Sequence, residues 1–142
     1  PGDSMKEIAE KLRDLERELK DEKGPFAYFA LVREGEAPDR WDLVVSAPWI
    51  SADRMEGVRL IAERLKQKLA PQELLSISKV VALEEGNPYL EASRMFASGL
   101  DGALAETRGN IINGILLPES YTITSQFLNR IPTTSATPPT GT

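Results

Sequence analysis

Trp41-Asp42-Leu43-Val44-Val45-Ser46-Ala47-Pro48-Trp49 alternates with a period of two. Trp41, Leu43, Val45, Ala47 and Trp49 fall on one side, and Asp42, Val44, Ser46 and Pro48 on the other. The first side is wholly apolar, so the stretch predicts a strand with one face against a core. At about 3.3 Å per residue the two tryptophans would stand roughly 26 Å apart, too far to stack along a straight strand. Pro48 has no N–H to give to a ladder, which suits a strand end or an edge.

A helix is predicted directly downstream. Asp53 is placed as its N-cap with Glu56 three residues on, the spacing of a capping box. Met55, Val58, Ile61, Ala62, Leu65 and Leu69 recur at spacings of three and four and form one apolar stripe, and Pro71 ends the helix soon after. Strand face and helix stripe are each other's nearest partner. Their mutual burial removes apolar surface from water at about 25 cal/mol per Å², so this pair is expected to be the core.

Upstream, Met5 to Lys23 reads as a charged helix with Met5, Ile8, Leu12, Leu15 and Leu19 at alternating spacings of three and four. A stripe this narrow serves either a coiled coil or a helix lying on its own sheet. In a parallel dimer Lys11 would face Glu16 of the other helix, and Glu18 would face Lys23. Ile8, Leu12, Leu15 and Leu19 are therefore the candidate interaction residues, although a helix of this length is marginal in water on its own. Gly24 and Pro25 end the helix. Phe26 to Arg33 is apolar on both faces and predicts a central strand, joined to the Trp41 strand as an antiparallel hairpin through the polar loop Glu34 to Arg40.

Downstream, a short helical turn is predicted from Gln72 to Ser76 and a strand from Ile77 to Leu83. Asn87 then caps a helix opening on Pro88 and running to Ala97. Leu100 to Arg108 reads as a further helical piece around Gly102. Asn110 to Phe127 reads as two strands joined at Pro118 to Ser120, with Asn113-Gly114 as a bulge in the first. Residues 132–142 contain only Pro, Thr, Ser, Ala and Gly, and nothing there can build a core. Residues 1–4, ahead of Met5, read as a segment added before the natural start. The expected organisation is one α+β domain over residues 5–131: a sheet of about five strands, mixed or mainly antiparallel, with the N-terminal helix and further helices packed on it, followed by a flexible tail.

The 142 residues carry no Cys and no His, and their net charge is −5. That excludes a disulfide, a thiol nucleophile, a Ser-His-Asp triad within the chain and a zinc site of the usual ligands. The negative charge argues against non-specific nucleic-acid binding. The helix over 53–68 is locally basic through Arg54, Arg59, Arg64, Lys66 and Lys68, but the interleaved Asp53, Glu56 and Glu63 suit a solvated face with ion pairs. No apolar run reaches ~18 residues, so no membrane span is expected, and the chain is expected to be cytoplasmic.

Phosphate-binding motifs are absent, since Gly99-Leu100-Asp101-Gly102 is too short to count as one. Ser78 and Lys79 are adjacent and point to opposite faces of a strand, so they make a poor catalytic pair. If the Trp41 and Ile77 strands run parallel through the helix between them, Asp42 lies at the opposite strand end from Glu84 and Glu85, with Asp39 just ahead of it, and no metal site or cofactor is expected. The candidate ligand-binding residues are Glu84, Glu85, Arg94, Asn110 and Asn113, with Tyr121 nearby, if the asparagine strand approaches the Arg94 helix. The function that best fits is a non-enzymatic interaction or assembly module, a homodimer or the receptor of a protein partner. The alternative is a small-ligand-binding or carboxylate-based enzymatic domain.

Overall fold

A computed structural model of the chain describes residues 2–33, 40–107, 110–112 and 114–128. The tail over 132–142 and most of the loop after Arg33 lie outside these residues. In chain order the elements are α1 (Gly2–Lys23), β1 (Tyr28–Arg33), β2 (Trp41–Ser46), α2 (Pro48–Ala52), α3 (Arg54–Lys68), α4 (Pro71–Leu74), β3 (Ile77–Ala82), α5 (Pro88–Phe96), β4 (Leu100–Thr107), β5 (Asn110–Ile112), β6 (Ile115–Leu117) and β7 (Ser120–Ser125). The main sheet has the order β3-β2-β1-β7-β4, and β5 and β6 pair separately. β2 and β3 are parallel, joined through α3 as a parallel pair requires, and the other neighbours are antiparallel. This is the expected α+β fold with a five-stranded mixed sheet, and β1 occupies its centre.

Leu43 and Val45 of β2, Phe29 and Leu31 of β1, and Tyr121 and Ile123 of β7 form one face of the sheet, covered by α1 and α3. The opposite face holds Tyr28, Ala30, Val32 and Val44 under Leu90 of α5. The Asn87 side chain accepts from the N–H groups of Tyr89 and Leu90 and opens α5 as a helix cap should.

The α1 stripe lies in the chain's own core. Ile8, Leu12, Leu15 and Leu19 are at most 2% exposed, so they offer no surface to another molecule. A coiled-coil seam and a helix lying on a sheet need the same spacing, which is why the sequence pattern admits both. The flanking charges are also engaged within the chain. Lys11 pairs with Glu73 at 2.9 Å and Lys68 with Glu18 at 2.7 Å, in place of the interchain pairs the heptad would use.

The organising strand stops at Ser46, two residues before Pro48, which becomes the first residue of α2. Trp49 thereby leaves the strand. Its ring meets Phe26 edge to face at 5.5 Å while Trp41 tilts against Tyr121 at 5.6 Å. Within α3 the buried residues are Gly57, Ile61 and Leu65, spaced i, i+4, i+8. A Cβ on Gly57 would come within 3.2 Å of Ile50, so a bare backbone is what lets α2 seat against α3. Met55 lies on the flank of this stripe and is 84% exposed, not part of the core.

Leu100–Thr107 is a strand, although Ala103, Leu104, Ala105 and Glu106 are good helix formers. Pairing with β7 overrides that propensity, and Gly102 at φ +80° falls where the register shifts between Asp101 and Ala105. The expected bulge at Asn113-Gly114 is instead the junction of two short strands, because Ile112 pairs with Ile115. Gly114 there takes φ +76°, the conformation a tight hairpin needs, and Asn113 lies outside the described residues.

Candidate functional site

The turn after β3, helix α5 and the end of β7 meet at one buried guanidinium. Arg94 is 1% exposed. Its Nη1 and Nη2 donate to the Glu85 carboxylate at 2.9 and 2.7 Å, Nη2 donates to Glu91 at 2.9 Å, and Nη1 reaches the Gln126 carbonyl at 3.3 Å. The guanidinium carbon Cζ lies 4.3 Å from the Phe127 ring centroid. Hydrogen bonding to Glu85 raises the Arg94 pKa further above its already high value. Two predicted site residues are thus joined, but to each other. An incoming anion would have to displace Glu85 to reach Arg94.

Glu84 and Glu85 also border a cleft of about 360 Å³ at the C-terminal ends of β2 and β3, with Ser46, Pro48 and Ser51 opposite. Asn110 opens β5, which pairs with β6 outside the main sheet and lies against α5, so the asparagine strand does approach the Arg94 helix; neither its side chain nor Asn113 is described. The constellation expected from sequence is brought together at Glu85 and Arg94, with Glu84 beside them. Tyr121 belongs to the opposite, α1-covered face.

On the α5 side of the sheet, the Tyr28 hydroxyl shares hydrogen bonds with Ser93, Thr122 and Tyr89. Burial pushes both phenols above their ordinary pKa, so the cluster is neutral and self-satisfied. Among the described residues no three acidic side chains converge to hold a metal ion, and no helix is long and apolar enough to cross a membrane. Three of the five basic residues of α3 are engaged in ion pairs: Arg59 with Glu56 and Glu63, Arg64 with Glu22, and Lys68 with Glu18.

Glu16, which a parallel dimer would set against Lys11 of the other helix, is 1% exposed within the chain. Its Oε2 accepts from the Thr124 hydroxyl at 2.7 Å, while its buried Oε1 has no partner. Burial raises its pKa above the ordinary 4.5, aided by nearby Asp101 and opposed by the Thr124 bond, Lys20 and Arg17. Folding therefore favours the protonated form. The stability this form contributes is complete below the unfolded-state pKa and is lost as pH rises through the folded-state pKa. Glu16→Gln is expected to stabilise the chain by about 1 kcal/mol at pH 8 and to change little at pH 4. Melting curves at the two pH values check this, and a variant less stable at pH 8 would show that the carboxylate's bond to Thr124 outweighs its desolvation.

The two outer strands of the sheet are treated differently. At β4, the positive-φ Gly102 interrupts the ladder, Arg13 Nε donates to the Gly102 carbonyl at 2.7 Å, and Lys20 pairs with Asp101 at 3.1 Å. Interruptions and covering side chains of this kind are how proteins blunt a sheet edge. At β3, among the described residues, no strand pairs with the side away from β2. A groove of about 650 Å³ runs there between α3 and β3, lined by Arg54, Met55, Val58, Arg59 and Val80 to Ala82. Met55, misread from sequence as core, stands on its rim. The signal that could have identified it is its place in the first turn of the helix, about 120° around the axis from the centre of the Gly57-Ile61-Leu65 line.

No protein-family model, curated protein or solved structure matches this chain.

Proposed function

We propose that the chain is a non-enzymatic interaction module whose docking surface is the outer edge of β3 and the apolar groove beside it. The observation that carries this reading is the 84% exposure of Met55 on the rim of that groove, next to a strand edge without a neighbour among the described residues. Backbone N–H and C=O groups of such an edge attract an extended segment, and alternate side chains of that segment can enter the groove. The buried α1 stripe takes no part. The ligand-site alternative has less support, because the Nη groups of Arg94 are held by Glu85, Glu91 and the Gln126 carbonyl.

A photo-crosslinking amino acid placed at position 55 in cells that make the protein tests the reading. A discrete adduct to a protein segment is expected from position 55 and not from the exposed Arg17 on α1. Equal labelling from the two positions would overturn the docking surface.

A further inference from the structure

We infer that the occupant of the β3 edge is a second copy of the chain, its β3 running antiparallel to the first about a two-fold axis. This rests on the docking reading above and names the partner. The two five-stranded sheets would then continue into one another.

The edge is self-complementary from end to end. Leu75 is 80% exposed and lies two residues before β3, whereas Met55, 84% exposed, borders the groove beside Val80 to Ala82 at the strand's other end. Antiparallel pairing turns one strand end for end, so the Leu75 end of each copy meets the Met55 groove of the other, and symmetry makes every contact twice. Parallel pairing would set Leu75 beside Leu75 and leave both grooves unfilled.

Charge agrees with this arrangement. The one charged residue of β3 is Lys79, which lies 3.6 Å from Asp42 of its own chain. A two-fold perpendicular to the sheet sets one residue against its own copy, because opposed residues must share a face. With that residue Val80, each Lys79 faces a Val81, and like charges are not opposed.

A stable interface needs about 1,000 Å² or more in total, which a six-residue strand pair does not reach alone. An axis perpendicular to the sheet keeps both α3 helices on one face, flanking the seam. Both grooves, with Met55 and Val58, are then covered along with the strands.

The chain has no cysteine, so a Ser78→Cys variant of the full chain carries a single nitroxide at an exposed β3 position. Light scattering after size exclusion gives its mass, and dipolar electron resonance gives the distance between spins. The expected result is a dimer with spins closer than about 25 Å, since the two positions are separated by about four residue steps and one strand spacing. Adding Met55→Asp should convert that dimer to monomer while leaving the melting transition cooperative. A dimer with spins beyond this range would overturn the β3 pairing. A monomer that still gives the position-55 adduct in cells would overturn the second copy and leave the docking surface standing, and a monomer without the adduct would overturn both.

Discussion

Leu12→Ala is expected to destabilise the chain by about 3 kcal/mol, with the melting temperature falling by roughly 10 °C. Leu12 is fully buried between α1 and the sheet, in the same cluster as Leu15, Leu19, Phe29 and Leu31. Truncating it removes transfer energy and leaves a cavity that a helix fixed by the Lys11–Glu73, Glu18–Lys68 and Lys20–Asp101 pairs cannot easily close. The informative comparison is between stability and mass. Urea unfolding should show the loss while the mass in native solution stays that of the unsubstituted chain. A variant that changes its mass and keeps its unfolding midpoint would move the stripe from inside the chain to between chains.

Arg94→Ala is the second large effect, expected to cost roughly 2–4 kcal/mol. Breaking a buried ion pair by deleting one partner typically costs ~3–5 kcal/mol. Here the Glu85 and Glu91 side chains are 47% and 44% exposed and can turn to water, which lowers the figure. Arg94→Met keeps much of the aliphatic volume against Phe127 without the charge and should recover part of the loss. Denaturant unfolding of both variants checks this. A stable Arg94→Ala chain that had lost affinity for a small anion would instead reinstate the ligand site that the sequence suggested.

These two residues also mark how far the sequence could be read. The central β1, its hairpin with β2, the parallel return through α3 and the Asn87 cap all follow from local rules, because each is fixed by residues near one another in the chain. The Leu12 stripe was legible as a stripe but not as to what covers it, since one spacing serves two partners. Arg94 was legible as an oddity on an amphipathic helix. Its partners Gln126 and Phe127 are set by where β7 ends, which no local pattern encodes. The β4 segment misled for the opposite reason, its Ala-Leu-Ala-Glu run preferring helix until β7 supplied a ladder. Met55 misled because a repeat of threes and fours does not say where the buried line ends.

The centre of the sheet has a consequence for how the chain is made. β1 lies between β2, which follows it closely, and β7, with Tyr28 paired to Ser125. At synthesis rates of about 5–20 residues per second, roughly 5–20 s separate the emergence of those two residues from a ribosome. During that interval β1, β2, α3 and β3 can assemble, leaving one side of the most apolar strand without its neighbour. The nascent chain is most vulnerable to misassociation then, through a surface that the finished molecule hides completely.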